Sequence, residues 1–192
     1  MGRNAEHNAD ARKQTRARLI QTALTLFARD GFTRTSIAAI ARAAGLSKGL
    51  MYHYFSSKEE LIRAVMQQRM HDMQEQTKHI PRDLAPAAQL RAIADALAAG
   101  VQADPEQFLL TLRIRIHLET VDLPGLDQRT ERDQMIVLFA RLGAADPVAE
   151  QRFFQTSLLG IFTQYVVSPQ PAPMAPLIDR LLQAVGVSSG DG

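Results

Sequence analysis

The chain has 192 residues, 46% hydrophobic and 22% charged, long enough to bury a core without disulfide or metal staples. It contains no cysteine, which excludes structural disulfides, thiolate metal sites and a cysteine nucleophile. The formal charge of +2 is unevenly spread: Lys and Arg outnumber Asp and Glu eleven to five over residues 1–64 and are outnumbered eleven to fifteen over residues 65–192. A basic first third on an acidic remainder fits either a segment that faces a polyanion or a merely solvated basic face.

Taken in chain order, nearly everything reads as helix. Residues 1–10 are polar, lack the apolar core of a signal peptide, and are expected to form a mobile arm. From Ala11 to Asp30 the residues Leu19, Ala23, Leu26 and Phe27 recur at helical spacing, and Gly31 stops the run. Thr35 is placed to cap a short helix, Ser36–Ala44, whose inner face carries Ile37, Ile40, Ala41 and Ala44. Gly45 supplies a left-handed turn residue, and Ser47 caps a second short helix, Lys48–Tyr54. Ser57 and Glu60 have the spacing of a capping box that opens a long helix to about Lys78.

Pro81 and Pro86 mark a loop, followed by an alanine-rich helix over Ala87–Gln102. Asp104-Pro105 and Asp146-Pro147 each place a cap before a proline at the first helical position. Helices are therefore expected from Pro105 to about Thr120, Leu126 to Leu142, Pro147 to Val167 and Pro176 to Val185, with a disordered tail over 188–192. Residues 110–118 alternate apolar and polar like a strand, but no second strand exists to pair with them, so they read as helix. On that helix Arg113 and His117 share a face, and they point inward if the helix is packed on two sides. No apolar run approaches the ~18 residues of a membrane span, and the default is a soluble cytoplasmic protein.

Two short helices joined at Ala44-Gly45-Leu46-Ser47 form a helix-turn-helix inside the basic third. Ile37, Ile40 and Ala41 lock the first helix to the second, and the alanines at 38, 39, 41, 43 and 44 permit close approach. Ser47-Lys48-Gly49 gives the second helix a short polar start that can near base edges and phosphates. Tyr52, His53 and Tyr54 add donors of phosphate-reaching length, and Lys58 adds a charge. Met51 and Phe55 read as core anchors. Tyr54 has two readings, an outward phosphate contact or inward packing.

The stretch from Thr35 to Leu61, TSIAAIARAAGLSKGLMYHYFSSKEEL, with Ala23, Phe27, Gly31 and Phe32 before it, resembles the TetR family of bacterial transcriptional regulators. The resemblance spans about 50 residues and ends near Val65. It implies an all-α protein of about nine helices: a mobile arm (1–10), a three-helix DNA-binding domain (11–56), a helical ligand-binding and dimerisation domain (57–187) and a tail (188–192). It implies a homodimer, formed through the last two helices, on a palindromic operator in double-stranded DNA. A small-molecule effector of unknown identity would release that operator. By position in the motif Lys48 and Gly49 meet bases, and Leu50 meets a thymine methyl. Thr35, Ser36, Ser47, Tyr52, His53, Tyr54 and Lys58 complete the DNA-facing set, with Arg3, Arg12 and Lys13 of the arm adding affinity.

Residues 65–192 carry no catalytic constellation: Ser157 and Thr163 lack a histidine–carboxylate pair, and no phosphate-binding glycine loop occurs. His71, Glu75 and His79 share a helix face, but a solvated polar face explains them better than a metal, and no cofactor is expected. The effector pocket is assigned to Phe108, Leu112, Phe139, Phe154, Leu158, Phe162 and Tyr165, most of which also serve as core. If Arg113 and His117 point inward, a carboxylate-bearing effector follows, unless Glu119 or Asp122 pairs with the arginine. The alternatives are a constitutive or architectural DNA-binding protein whose bundle only dimerises, and a helical enzyme with an incidental helix-turn-helix.

Overall fold

Helix-favouring periodicity is realised throughout the computed structural model, which describes residues 2–118 and 129–187 and contains nine α-helices and no strand among them. These are α1 (Gly2–Asp30), α2 (Ile37–Ala43), α3 (Lys48–Tyr52), α4 (Lys58–Thr77), α5 (Pro86–Ala103), α6 (Pro105–Leu118), α7 (Arg129–Arg141), α8 (Pro147–Val167) and α9 (Met174–Ala184). The helix start expected at Leu126 and the tail over 188–192 fall outside the described residues.

The helices divide into two units, one of residues 1–71 and 110–126, the other of residues 72–109 and 127–192. The first has a core of Leu19, Ala23 and Phe27 from α1, Ile40 and Ala41 from α2, Met51, Phe55, and Leu61, Ile62 and Val65 from α4. Ile114 of α6 completes it. The second is built from α5, α7, α8 and α9, with Leu90 and Ala94 packed among Phe139, Phe154, Leu158, Ile178 and Leu182. Alanines at 87, 94 and 98 line the buried side of α5 and leave room for these larger side chains. Arg91 of α5 and Asp179 of α9 add an ion pair of 2.6 Å at the surface.

Local chemistry explains most helix ends. The Asp146 carboxylate accepts from the amides of Val148 and Ala149, and that of Asp104 accepts from Gln107. Both caps precede a proline whose missing N–H costs the helix nothing. Gly31, at φ 82°, ends α1 where a side chain would clash.

Two expectations are corrected. The arm is helical from Gly2, because nothing between Arg3 and Asp10 breaks a helix; its polar side chains from His7 onward are exposed. The first short helix is capped by Ser36, not Thr35: the Ser36 hydroxyl accepts from Ala39 N–H at 3.1 Å. The alternating segment 110–118 is helical, with Ile114 buried and Ile116 exposed.

Candidate nucleic-acid interface

The turn between α2 and α3 is set by Gly45, whose φ of 70° carries the chain out of α2. Gly45 N–H donates to Arg42 and Leu46 N–H to Ala41, so the last carbonyls of α2 are satisfied within three residues. The Ser47 hydroxyl then accepts from Leu50 N–H at 3.1 Å and starts α3. Met51 and Phe55 are fully buried and pin α3 and the following turn from inside. With that side anchored, the opposite side faces solvent: Ser47, Lys48, Gly49, Leu50, Tyr52 and His53 are all exposed. Leu50, 40% exposed, and Tyr52, 47%, are large apolar surfaces left uncovered on a five-residue helix. An added Cβ on Gly49 meets nothing within 4 Å, so this side of α3 is open to close approach. Ser36, at the start of α2, is exposed, and Tyr54 is half-buried against the core.

Thr35 does not join this surface. It is 3% exposed, and its hydroxyl donates to the carbonyls of Gly31 at 2.8 Å and Leu26 at 3.2 Å, bracing the end of α1 against the turn into α2. Lys58 is likewise committed inward. Its ammonium donates to the carbonyls of Phe32 (2.8 Å), Thr35 (3.1 Å) and Thr33 (3.3 Å) and lies 4.3 Å from the Phe32 ring centroid. Three convergent carbonyls on one cation are a structural clasp rather than a free phosphate contact.

The capping box takes a shifted form. Ser57 Oγ accepts from Glu60 N–H at 3.0 Å, but the Glu60 carboxylate reaches back to Ser56, accepting from both its N–H and its hydroxyl at 2.6 Å. The Ser56 hydroxyl and amide hold the Glu60 carboxyl below its usual range, with Arg16 and Arg63 adding a smaller electrostatic pull. Arg16 itself lies 5.1 Å over the Phe55 ring, tying α1 to the turn after α3, a role its sequence position did not reveal.

The residues assigned to an effector separate. Phe139, Phe154, Leu158 and Phe162 are buried in the second unit, with Phe108 and Tyr165 half-buried against them. Phe108 stands edge-on to Phe162 at 6.0 Å and Phe139 to Phe154 at 5.7 Å. Leu112 is half-buried and Arg113 exposed, both in the portion of α6 that belongs to the first unit. The inward Arg113 on which a carboxylate ligand depended is thus not present. The His117 side chain, Glu119 and Asp122 lie outside the described residues, as does the Arg3 side chain. Sequence reading passed over Gln151, which is buried on the same stripe of α8 as Phe154, Leu158 and Phe162. Its spacing of three residues before Phe154 was the available signal.

A groove of about 420 Å³ between α1 and α4 is lined by Ala17, Arg18, Ile20, Gln21, Gln68 and Arg69. Among the described residues no group of three His, Asp or Glu side chains is placed to hold a metal ion. No described helix is long and apolar enough to cross a membrane.

This helix-turn-helix has known counterparts. Residues 19–65 match the family model described as bacterial regulatory proteins, tetR family. Over those residues the chain is similar to the DNA-binding segment of that family. It is 36% identical over 70 residues to the uncharacterized HTH-type transcriptional regulator TtgW of Pseudomonas putida, covering 36% of this chain and 52% of that protein. It is 34% identical over 87 residues to the HTH-type transcriptional regulator BetI of Paraburkholderia phymatum, covering 44% of each. The chain thus spans between a quarter and about half the length of the curated relatives it matches. The solved structure of AibR in complex with isovaleryl coenzyme A and operator DNA superposes with a TM-score of 0.75 at 20% identity, covering 90% of this chain and 98% of AibR. The fold therefore matches that of AibR over nearly the whole chain, and the relatives that share its sequence are named as transcriptional regulators.

Proposed function

We propose that this chain is a ligand-responsive transcriptional repressor: a homodimer that binds a palindromic operator and releases it when a small molecule enters the helices of the second unit. The observation that carries the reading is the anchored but uncovered α3. Met51 and Phe55 fix its inner side, while Lys48, Gly49 and Leu50 stand free on the outer one. Lys48 offers a donor to guanine or phosphate, Leu50 an apolar contact for a thymine methyl, and Gly49 no steric barrier between them. Tyr52, His53, Ser36 and Ser47 surround them with phosphate-directed groups. The two capping hydroxyls accept from the helix and keep their own protons for a phosphate.

One α3 makes too few contacts for a specific site, so a second copy is part of the proposal. On α8 Phe153 is 49% and Val167 57% exposed, with Gly160 exposed between them and Leu177 of α9 also uncovered. An apolar face of this kind supports pairing through α8 and α9. Two recognition helices then read half-sites about 34–36 Å apart. The effector acts by favouring a dimer geometry that no longer matches this spacing, and α4, which contributes to both units, carries the change. AibR, solved in complex with isovaleryl coenzyme A and operator DNA, supports the presence of both a small-molecule site and a DNA site in one such fold.

Selection of bound duplexes from random DNA and fragmented genomic DNA, followed by a salt titration, tests the proposal. A palindromic motif is the expected result. Salt-sensitive binding without a motif would instead support the architectural reading.

A further inference from the structure

Thr35 and Gln151 are the buried polar side chains among the described residues. Thr35 is satisfied by two carbonyls, whereas Gln151 is half satisfied. Its Nε2 donates to Oε1 of the exposed Gln155 at 2.8 Å, and its own Oε1, fully buried, finds no donor among the described residues. Gln151 is only 4% exposed and heads the stripe that continues through Phe154, Leu158 and Phe162 into the core of the second unit. Oε1 of Gln89, on α5 in the same unit, is likewise buried without a donor. A lone acceptor is costly in apolar surroundings, and a methionine or leucine would fill the same space without that cost. A buried acceptor without a donor calls for an explanation, and a donor brought by a bound molecule supplies one.

We infer that Gln151 is the hydrogen-bonding anchor for a neutral, largely apolar small molecule that carries a hydroxyl or N–H donor. The inference rests on the ligand-responsive reading and names the chemistry of its effector. An acceptor oxygen repels a carboxylate, and Arg113, the cation that would have drawn one, is exposed on α6. The Phe139–Phe154 pair, whose Phe154 lies one turn along α8 from Gln151, supplies apolar surroundings, and the same buried stripe continues to Phe162.

The test uses the full chain and a series of 4-alkylphenols from ethyl to octyl, each compared by calorimetry with its methyl ether, which keeps the shape and loses the donor. At least one phenol is expected to bind about tenfold tighter than its ether, the effect of one neutral hydrogen bond. Gln151→Met should bring that ratio near one without lowering the melting temperature of the unliganded protein. Gln155→Ala, which alters only the surface end of the amide pair, should preserve the ratio. Equal binding of phenol and ether, binding of neither, or a ratio unchanged in Gln151→Met would overturn the assignment; the first two need no variant to fold. Fluorescence anisotropy on a selected duplex separates this inference from the one beneath it. Gln151-dependent phenol binding that never releases DNA would sink the ligand-responsive reading and leave the anchor standing. Release that proceeds equally in Gln151→Met would do the reverse.

Discussion

The ammonium of Lys58 sits 4.3 Å from the centroid of the Phe32 ring, and from there it donates to the carbonyls of Phe32, Thr33 and Thr35. The first turn of α4 is thereby fastened to the loop between α1 and α2, the same loop that positions the helix-turn-helix. A lysine used in this way stabilises the domain and adds little to the phosphate contacts.

Replacing Lys58 by Met should therefore lower stability by about 1.5–3 kcal/mol, the usual range for hydrogen bonds to a charged group. It should leave the slope of log K against log salt for DNA unchanged. Urea denaturation and a salt titration of binding check the two halves together. Stability that stays put while the slope drops by about one unit would return Lys58 to the phosphate-binding set.

Gly45 and Gly49 should respond oppositely to alanine. Gly45 lies at φ 70°, so Gly45→Ala forces a left-handed conformation and should cost about 1–2 kcal/mol. Gly49 is helical and its Cβ direction is empty, so Gly49→Ala should fold as well or gain about 0.5–1 kcal/mol. The same methyl group would stand where bases approach, and specific DNA affinity is expected to fall at least tenfold. Melting curves paired with anisotropy on operator DNA would reveal whether folding and binding separate.

Glu60 links stability to acid. Its carboxyl is held below the ordinary value of 4.5, chiefly by the Ser56 hydroxyl and then by the Ser56 amide. A depressed folded pKa contributes stability that is fully present above the unfolded value and fades as pH falls through the folded one. Glu60→Gln should thus be less stable than the parent at neutral pH, with the gap closing below pH 4.5. Denaturation midpoints of both proteins across that window give the answer, and a gap constant with pH would show the carboxylate to be dispensable.

Phe153→Glu places a charge on the exposed face of α8 without touching the buried Phe154 next to it. Analytical ultracentrifugation should find the parent dimeric and the variant monomeric, with helicity retained. A variant that stays dimeric would move the interface elsewhere.

How much of this was legible in advance depends on whether the cause was local. Helix α8 runs from Pro147 to Val167 as expected because Asp146 and Pro147 encode its start in adjacent residues. The turn at Gly45 was visible for the same reason. Thr35 and Ser36 are both good caps, and only the tertiary contact from Thr35 to Leu26, nine residues back, assigns the role to Ser36. Lys58 was misread because the carbonyls it gathers lie more than twenty residues earlier in the chain. Arg113 sits on a helix whose alternating pattern offers two opposite faces, and burial of Ile114 rather than any local rule settles which one turns outward. For α1, polar composition suggested an arm, but residues 3–10 hold no glycine or proline and give the helix no reason to stop.

The central claim is that two copies of α3 read two half-sites at a fixed separation. It is tested most directly by measuring affinity for the selected duplex and for the same duplex with five base pairs inserted at its centre. Half a helical turn rotates one half-site to the opposite face of the DNA. The account predicts that the insertion weakens the parent protein at least tenfold at physiological salt and leaves Lys48→Ala, already impaired in base reading, far less affected. Equal affinity for both duplexes would contradict it, because a protein indifferent to spacing is holding the phosphate backbone and not reading paired sites.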